Sequence, residues 1–335
     1  MSHTLIIAEA GVNHNGSIDT ARRLIDVAGA AGVDYVKFQT FKADRLVSRS
    51  AQKAQYQQDN MAGADTSQYA MLRALELSPA DHYELIEHCR SKNVAFFSTA
   101  FDLESIDFLS SLDMPMWKVP SGEITNFPYL RKIGQTQKPV ILSTGMATMG
   151  EIEDAINVLT RFGTPRAQIT LLHCTTEYPA PKAEVNLRAM QTMNRVFGLR
   201  VGYSDHTQGI EIPVAAVAMG ACVIEKHFTL DRAMQGPDHL ASIEPIELEQ
   251  MVAQIRNVEQ ALGDGVKQAT LSEKPNIVVA RKSIVAARAI KKGERLTEEN
   301  ITVKRPACGI SPMEWERVVG QVAVRDFMDE ETIEI

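Results

Sequence analysis

Eight times in roughly the first 262 residues, a short apolar run ends in a polar tip and gives way to a segment with helical spacing. That alternation restricts the fold more than any other feature. The runs cover 5–10, 35–39, 94–99, 116–119, 139–142, 169–172, 199–203 and 223–227. The segments between them read as helices. After the first run, Ser17 suits a cap, Ala21, Leu24, Ile25 and Ala28 recur at helical intervals, and Gly32 ends the pattern. Further helices are expected at 81–91, 103–112, near Tyr129, and at 151–161, 185–197, 210–219 and 245–262. Strict alternation implies parallel strands. Eight units of this length fit a (βα)8 barrel, whose chemistry sits at the C-terminal strand ends. An open doubly wound sheet is the structural alternative, but no glycine-rich phosphate loop of either common nucleotide-binding pattern occurs. The stretch 40–77 is long, polar and rich in Gln, Ala and Ser, as binding loops and lids are.

A chain of 335 residues exceeds what one hydrophobic core usually serves, so a large and a small domain are expected. The texture changes after Gly263. Residues 1–264 read as the barrel, 265–282 as a linker, and 283–335 as a small β-rich module with short runs SIVAA, ITVKR and QVAV, too small to bury much core alone. A net charge of −7 and the lack of a basic stripe argue against nucleic acid, so an anionic ligand needs a local cluster of cations. Cys89, Cys174, Cys222 and Cys308 form no CxxC, which fits a reduced, cytoplasmic setting. No cleavable leader pattern and no membrane-length apolar run stand out.

The last run, VIEKHFTLD, puts Glu225 and His227 on one strand face and Ile224 and Lys226 on the other. A carboxylate beside an imidazole at a strand end suits a metal ion or a proton transfer, although a core histidine beside an ion-paired glutamate is the plainer reading. Lys37, Lys118, Ser121, Ser143 and Ser204 offer cations and hydroxyls to a phosphate or carboxylate. For each serine the alternative is a strand-end hydrogen bond. For each lysine it is a Schiff base. His206 and His227, from adjacent strand ends, can hold a divalent metal and leave positions open for water and substrate. Glu9 and Glu123 are two further carboxylates at the mouth, as general base, charge stabiliser or salt-bridge partner of a lysine.

Together AEAGVNHNG, VKFQTFKAD, WKVPSGEITNFPYL, LLHCTTEYPAP, GYSDHT, VIEKHFTLD, GPDHLASIEP and KRPACGISPMEW resemble the bacterial sialic acid synthases over nearly the whole chain. IIAEAGVNHNG, HCTTEYPAP and VGYSDHT are most similar to synthases of N,N'-diacetyllegionaminic acid. GPDHLASIEP and ISPMEW are equally similar to N-acetylneuraminate synthases. The resemblance implies a (βα)8 barrel followed by an antifreeze-like (SAF) domain. It also implies condensation of phosphoenolpyruvate with an N-acetylated mannose-type sugar, aided by Mn2+ or, alternatively, Mg2+ or Co2+. It assigns His206 and His227 to the metal, and Lys37, Thr99, Lys118, Ser121, Ser143 and Ser204 to phosphoenolpyruvate. Glu9, Glu123 and Glu225 become the active-site carboxylates, and Gln39, Tyr178 and Asp238 lie near the sugar. Arg305 would reach the sugar's N-acetyl group from the small domain of the other subunit in a domain-swapped homodimer. Two positions depart from the pattern: Cys308-Gly309 replaces the usual Asn-Gly, and Thr176 stands where some members have Asn. The competing functions are a metal-dependent pyruvate aldolase and a non-catalytic glycan-binding protein.

Overall fold

The computed structural model describes residues 3–61 and 67–335. It divides into two compact units, Met1–Asp264 and Gly265–Ile335. In the first, eight parallel strands form one sheet: β1 (Leu5–Gly11), β2 (Tyr35–Thr40), β3 (Ala95–Ala100), β4 (Trp117–Val119), β5 (Val140–Ser143), β6 (Ile169–His173), β7 (Arg200–Asp205) and β8 (Val223–His227). Their order is β3-β2-β1-β8-β7-β6-β5-β4, so the first strand pairs with both the second and the last. The sheet is thereby curled into a nearly closed (βα)8 barrel, with β3 and β4 side by side at the seam. The strands are buried almost throughout, as a parallel sheet covered by helices must be. Gly202 permits the close approach of β6, β7 and β8: a Cβ there would lie 2.4 Å from Val223 O and 2.7 Å from Leu172 Cδ2.

Local signals in the chain set the helix ends. Ser17 accepts from Thr20 N, and Gly32, at φ 72°, closes the first helix through Ala28 O and Gly29 O. Ser78 with Asp81, and Thr148 with Glu151, form capping boxes at the starts of Pro79–Ser91 and Met149–Arg161. The eighth strand is followed by the long helix Pro245–Leu262. None of the helices among the described residues is long and apolar enough to cross a membrane.

Two expectations are corrected. The stretch 40–77, expected as a binding loop or lid, does line the cavity at the barrel mouth, but it is built from short helices at Ala43–Leu46, Gln55–Asn60 and Gln68–Leu75, while 62–66 lie outside the described residues. Met71, Leu72 and Leu75 pack with Val12, Phe41 and Ala43 into a small core of their own. That core needs Val12 from the loop after β1, which reading the segment alone leaves out. In the second unit, the linker stretch contains the helix Lys274–Ala280, and of the three β-like runs only two form strands. These are β9 (Ser283–Ala286) and β10 (Ile301–Lys304), paired antiparallel, whereas QVAV supplies a single bridge between Val322 and Arg295. This unit buries a core of its own around Ile284, Ile290, Leu296 and Phe327.

Candidate active site

The polar strand tips converge on one cavity of about 530 Å³ at the C-terminal mouth of the barrel. Glu9, Lys37, Gln39, Thr99, Lys118 and Ser121 line it, as do Glu123, Ser143, Tyr178, Ser204, His206, Glu225, His227 and Asp238. Arg305 belongs to the second unit, where it is exposed and its Nε donates to Ala280 O at 2.8 Å.

Strand register brings the floor's charges together. Glu9 lies opposite Lys37 across β1 and β2, and Ser204 lies opposite Glu225 across β7 and β8. Lys37 Nζ is ion-paired with Glu9 and donates to Thr99 Oγ1 at 3.0 Å; Glu225 Oε2 is 3.6 Å away. Lys118 Nζ and Ser204 Oγ donate to Glu225 Oε1 at 2.9 and 3.0 Å. Both lysines are only 3 % exposed, and a lone ammonium in that position would cost several kcal/mol. Two carboxylates offset the two cations. Burial would raise the Glu225 pKa, but Lys118 and Lys37 hold it well below the usual carboxylate range. Burial dominates at Glu9 and pushes it up to about 7 against the pull of Lys37. Burial opposes the charged form of Lys37, yet Glu225 and Glu9 raise its pKa overall. Gln39 Nε2 reaches Glu9 Oε1 at 3.4 Å. Gly11 passes beside this pair at φ 52°, where a Cβ would lie 3.2 Å from Glu9 Oε1 and 3.4 Å from His227 Cε1. Glu123 stands apart from the lysines: it is half-buried at the rim, and accepts from Asn126 Nδ2 at 2.6 Å.

The imidazoles of His206 and His227 are neighbours, with ring centroids 5.5 Å apart and planes tilted by 55°. His206 Nδ1 lies 2.5 Å from Thr175 O; a carbonyl only accepts, so Nδ1 carries the proton and Nε2 keeps its lone pair. His227 Nδ1 is buried without a hydrogen-bond partner, 4.0 Å from Asp238 Oδ2. Burial pushes His206 down to about 4, and burial with His206 and Lys37 nearby holds His227 well below its ordinary value. Both rings are therefore neutral at neutral pH, the form that ligates metal. Burial also pushes Asp238 up to about 6. No cluster of three or more His, Cys, Asp or Glu able to hold a metal occurs among the described residues. A donor set of two neutral imidazoles, one with an orphaned nitrogen, fits a divalent ion whose other positions go to water and substrate. Tyr178 packs against both rings, its centroid 4.1 Å from that of His206 at a tilt of 34° and 5.7 Å from that of His227, which it meets edge-on.

Sequence reasoning missed another wall. Val12, Leu46, Met71, Leu72 and Leu75 give the cavity an apolar face. The available signal was the spacing of Met71, Leu72 and Leu75 in a helix capped by Ser67. Cys174 and Thr176 also line the cavity: Ser121 Oγ lies 3.2 Å from Cys174 Sγ and accepts from Gly145 N at 3.0 Å. His173, at the same strand tip, turns away from the cavity and its Nε2 bonds Val185 O at 2.7 Å.

Barrel, charged mouth and separate β unit together define a (βα)8-barrel enzyme with a C-terminal accessory domain. Residues 24–267 match the NeuB family and residues 281–331 the SAF domain. The chain belongs to the NeuB family, as its motifs implied. It is 56% identical over 333 residues, 99% of each chain, to the N,N'-diacetyllegionaminic acid synthase of Campylobacter jejuni. It is 50% identical to the enzyme of the same description from Legionella pneumophila, over 94% of this chain and 89% of that one. Among solved structures it is similar to the N-acetylneuraminic acid (sialic acid) synthetase of Leptospira borgpetersenii in complex with citrate. That match has a TM-score of 0.72 at 34% identity, over 82% of this chain and 90% of that one.

Proposed function

We propose that this protein condenses phosphoenolpyruvate with 2,4-diacetamido-2,4,6-trideoxymannose to give N,N'-diacetyllegionaminic acid. C3 of phosphoenolpyruvate bonds to the aldehyde carbon of the open-chain sugar, a water oxygen adds at C2, and phosphate departs with the bridging oxygen. The observation that carries this reading is the 56% identity, over 99% of both chains, to a synthase of that acid. The cavity supports the chemistry. Lys37 and Lys118, flanked by Thr99, Ser121, Ser143 and Ser204, suit an enol phosphate bearing a carboxylate. Pyruvate would need no such set, which disfavours an aldolase. Glu225, held between the lysines, keeps them in position. Glu9, with fewer donors, is the carboxylate suited to exchange a proton with the adding water or the aldehyde oxygen.

His206 and His227 are the residues that would hold a divalent ion, Mn2+ first and Mg2+ or Co2+ as alternatives; when bound it supplies Lewis-acid polarisation of the aldehyde oxygen. Gln39, Tyr178 and Asp238 border the space left for the sugar. By family resemblance, the second unit serves as a lid delivered in trans within a domain-swapped homodimer, with Arg305 directed at the N-acetyl group. The reaction belongs in the cytoplasm, where phosphoenolpyruvate is made. A second reading, N-acetylneuraminate from N-acetylmannosamine, is favoured by the likeness to the Leptospira synthetase and by the GPDHLASIEP stretch. Parallel assays with the two sugars decide: the higher kcat/KM is expected for the diacetamido sugar, and the reverse order would assign N-acetylneuraminate.

A further inference from the structure

Behind the two imidazoles, on the other face of β8, lies an ion pair that the proposed chemistry does not use. Lys226 and Asp205 have fully buried side chains, with Nζ 2.5 Å from Asp205 Oδ2. The same Nζ donates to Thr207 O at 2.7 Å. Asp205 in turn accepts from Thr207 N at 3.0 Å and from Thr207 Oγ1 at 3.2 Å. The ladder between β7 and β8 has Asp205 opposite Lys226 as its last pair, and β7 ends there. His206 and Thr207 therefore lie beyond the reach of the sheet's own hydrogen bonds to β8. Lys226 extends the connection by two residues: it grips the carbonyl just past His206, while its own peptide leads directly into His227. Each imidazole is thus bonded in sequence to one end of a single buried clamp.

We infer that Lys226 and Asp205 are positioning residues that fix the spacing of His206 and His227, and hence the affinity of the site for a divalent cation. This rests on the reading that those two histidines hold the ion. Stability alone does not require such a pair, since a buried ion pair often contributes no more than apolar side chains of similar volume. What an apolar pair could not do is accept from Thr207 N and donate to Thr207 O at once. Neither residue lines the cavity or touches the lysines that suit phosphoenolpyruvate. Loss of the clamp should therefore separate the two ligands, weakening metal binding and leaving the enol phosphate unaffected.

The test uses full-length enzyme stripped with a chelator and titrated with Mn2+, free ion being read by electron paramagnetic resonance. Lys226→Met leaves the Asp205 carboxylate buried and uncompensated, and its folding can suffer. The double variant Lys226→Met with Asp205→Asn removes that charge while keeping an acceptor for Thr207 N. For the double variant, Mn2+ affinity should fall about 10- to 100-fold. Metal-free phosphoenolpyruvate affinity by calorimetry, and the thermal midpoint, should stay at wild-type values. Wild-type Mn2+ affinity in the double variant overturns the inference, as does a parallel fall in phosphoenolpyruvate affinity. If the wild type itself takes up Mn2+ no better than His227→Ala, the two-histidine reading falls and this inference falls with it.

Discussion

At the scale of single residues, His227 has the most demanding position: buried at the cavity wall, neutral, with one ring nitrogen lacking a hydrogen-bond partner. His227→Ala should abolish metal-dependent turnover and leave the thermal midpoint nearly unchanged; residual metal-stimulated activity would take the residue out of the metal site. His14 tests burial instead of catalysis. It is fully buried in the loop after β1, accepts from Gly16 N at 3.0 Å, and is pushed down to about 4 mainly by burial. A histidine whose folded pKa is depressed stabilises the fold fully above its unfolded value of about 6.5, and that stability is lost as pH falls toward 4. The contribution is at most about 3 kcal/mol. Urea midpoints measured from pH 7 down to 4.5 should fall less steeply for His14→Gln than for the wild type, and parallel slopes would contradict this. The strand tips were legible because alternation fixes which residues face the mouth. The pairing among them was not. That Glu225 is shared by two lysines, while Glu123 turns to Asn126, depends on strand stagger around the barrel, which spacing within one run does not encode.

At the scale of elements, strands and helix caps followed local rules, since burial on both faces and capping hydroxyls act within a few residues. The helix Gln68–Leu75 escaped because its apolar face is matched to Val12 and Phe41 from elsewhere in the chain. QVAV has strand composition but only one bridging partner, so it stays outside the β9–β10 ladder. The missed helix has a consequence for specificity. Leu72 lines the cavity beside Met71 and Leu75, and an N-acetylated 6-deoxy sugar brings methyl groups that such a wall can bury. Leu72→Ala should raise the KM for the diacetamido sugar about tenfold while that for phosphoenolpyruvate holds. Equal rises in both would mean that the helix merely supports the barrel.

At the scale of the whole molecule, the chain divides into two units, and the second buries a core of its own where its short length suggested too little chain for one. The proposed delivery of the SAF domain in trans makes a prediction that no single chain can satisfy. Arg305→Ala should raise the sugar KM far more than that for phosphoenolpyruvate. Mixing Arg305→Ala subunits with His227→Ala subunits should then restore sites with wild-type sugar KM, because an intact barrel receives an intact lid from its neighbour. Mixtures that behave as the sum of their parts would mean that each chain completes its own site.

The central claim concerns one bond in one substrate. Phosphoenolpyruvate carrying heavy oxygen in its bridge should be incubated with the enzyme, Mn2+ and the diacetamido sugar, and the products weighed by mass spectrometry. The label is predicted in the released phosphate, one for each nonulosonic acid formed. Label retained in the acid, or acid formed equally well from pyruvate, would contradict the account.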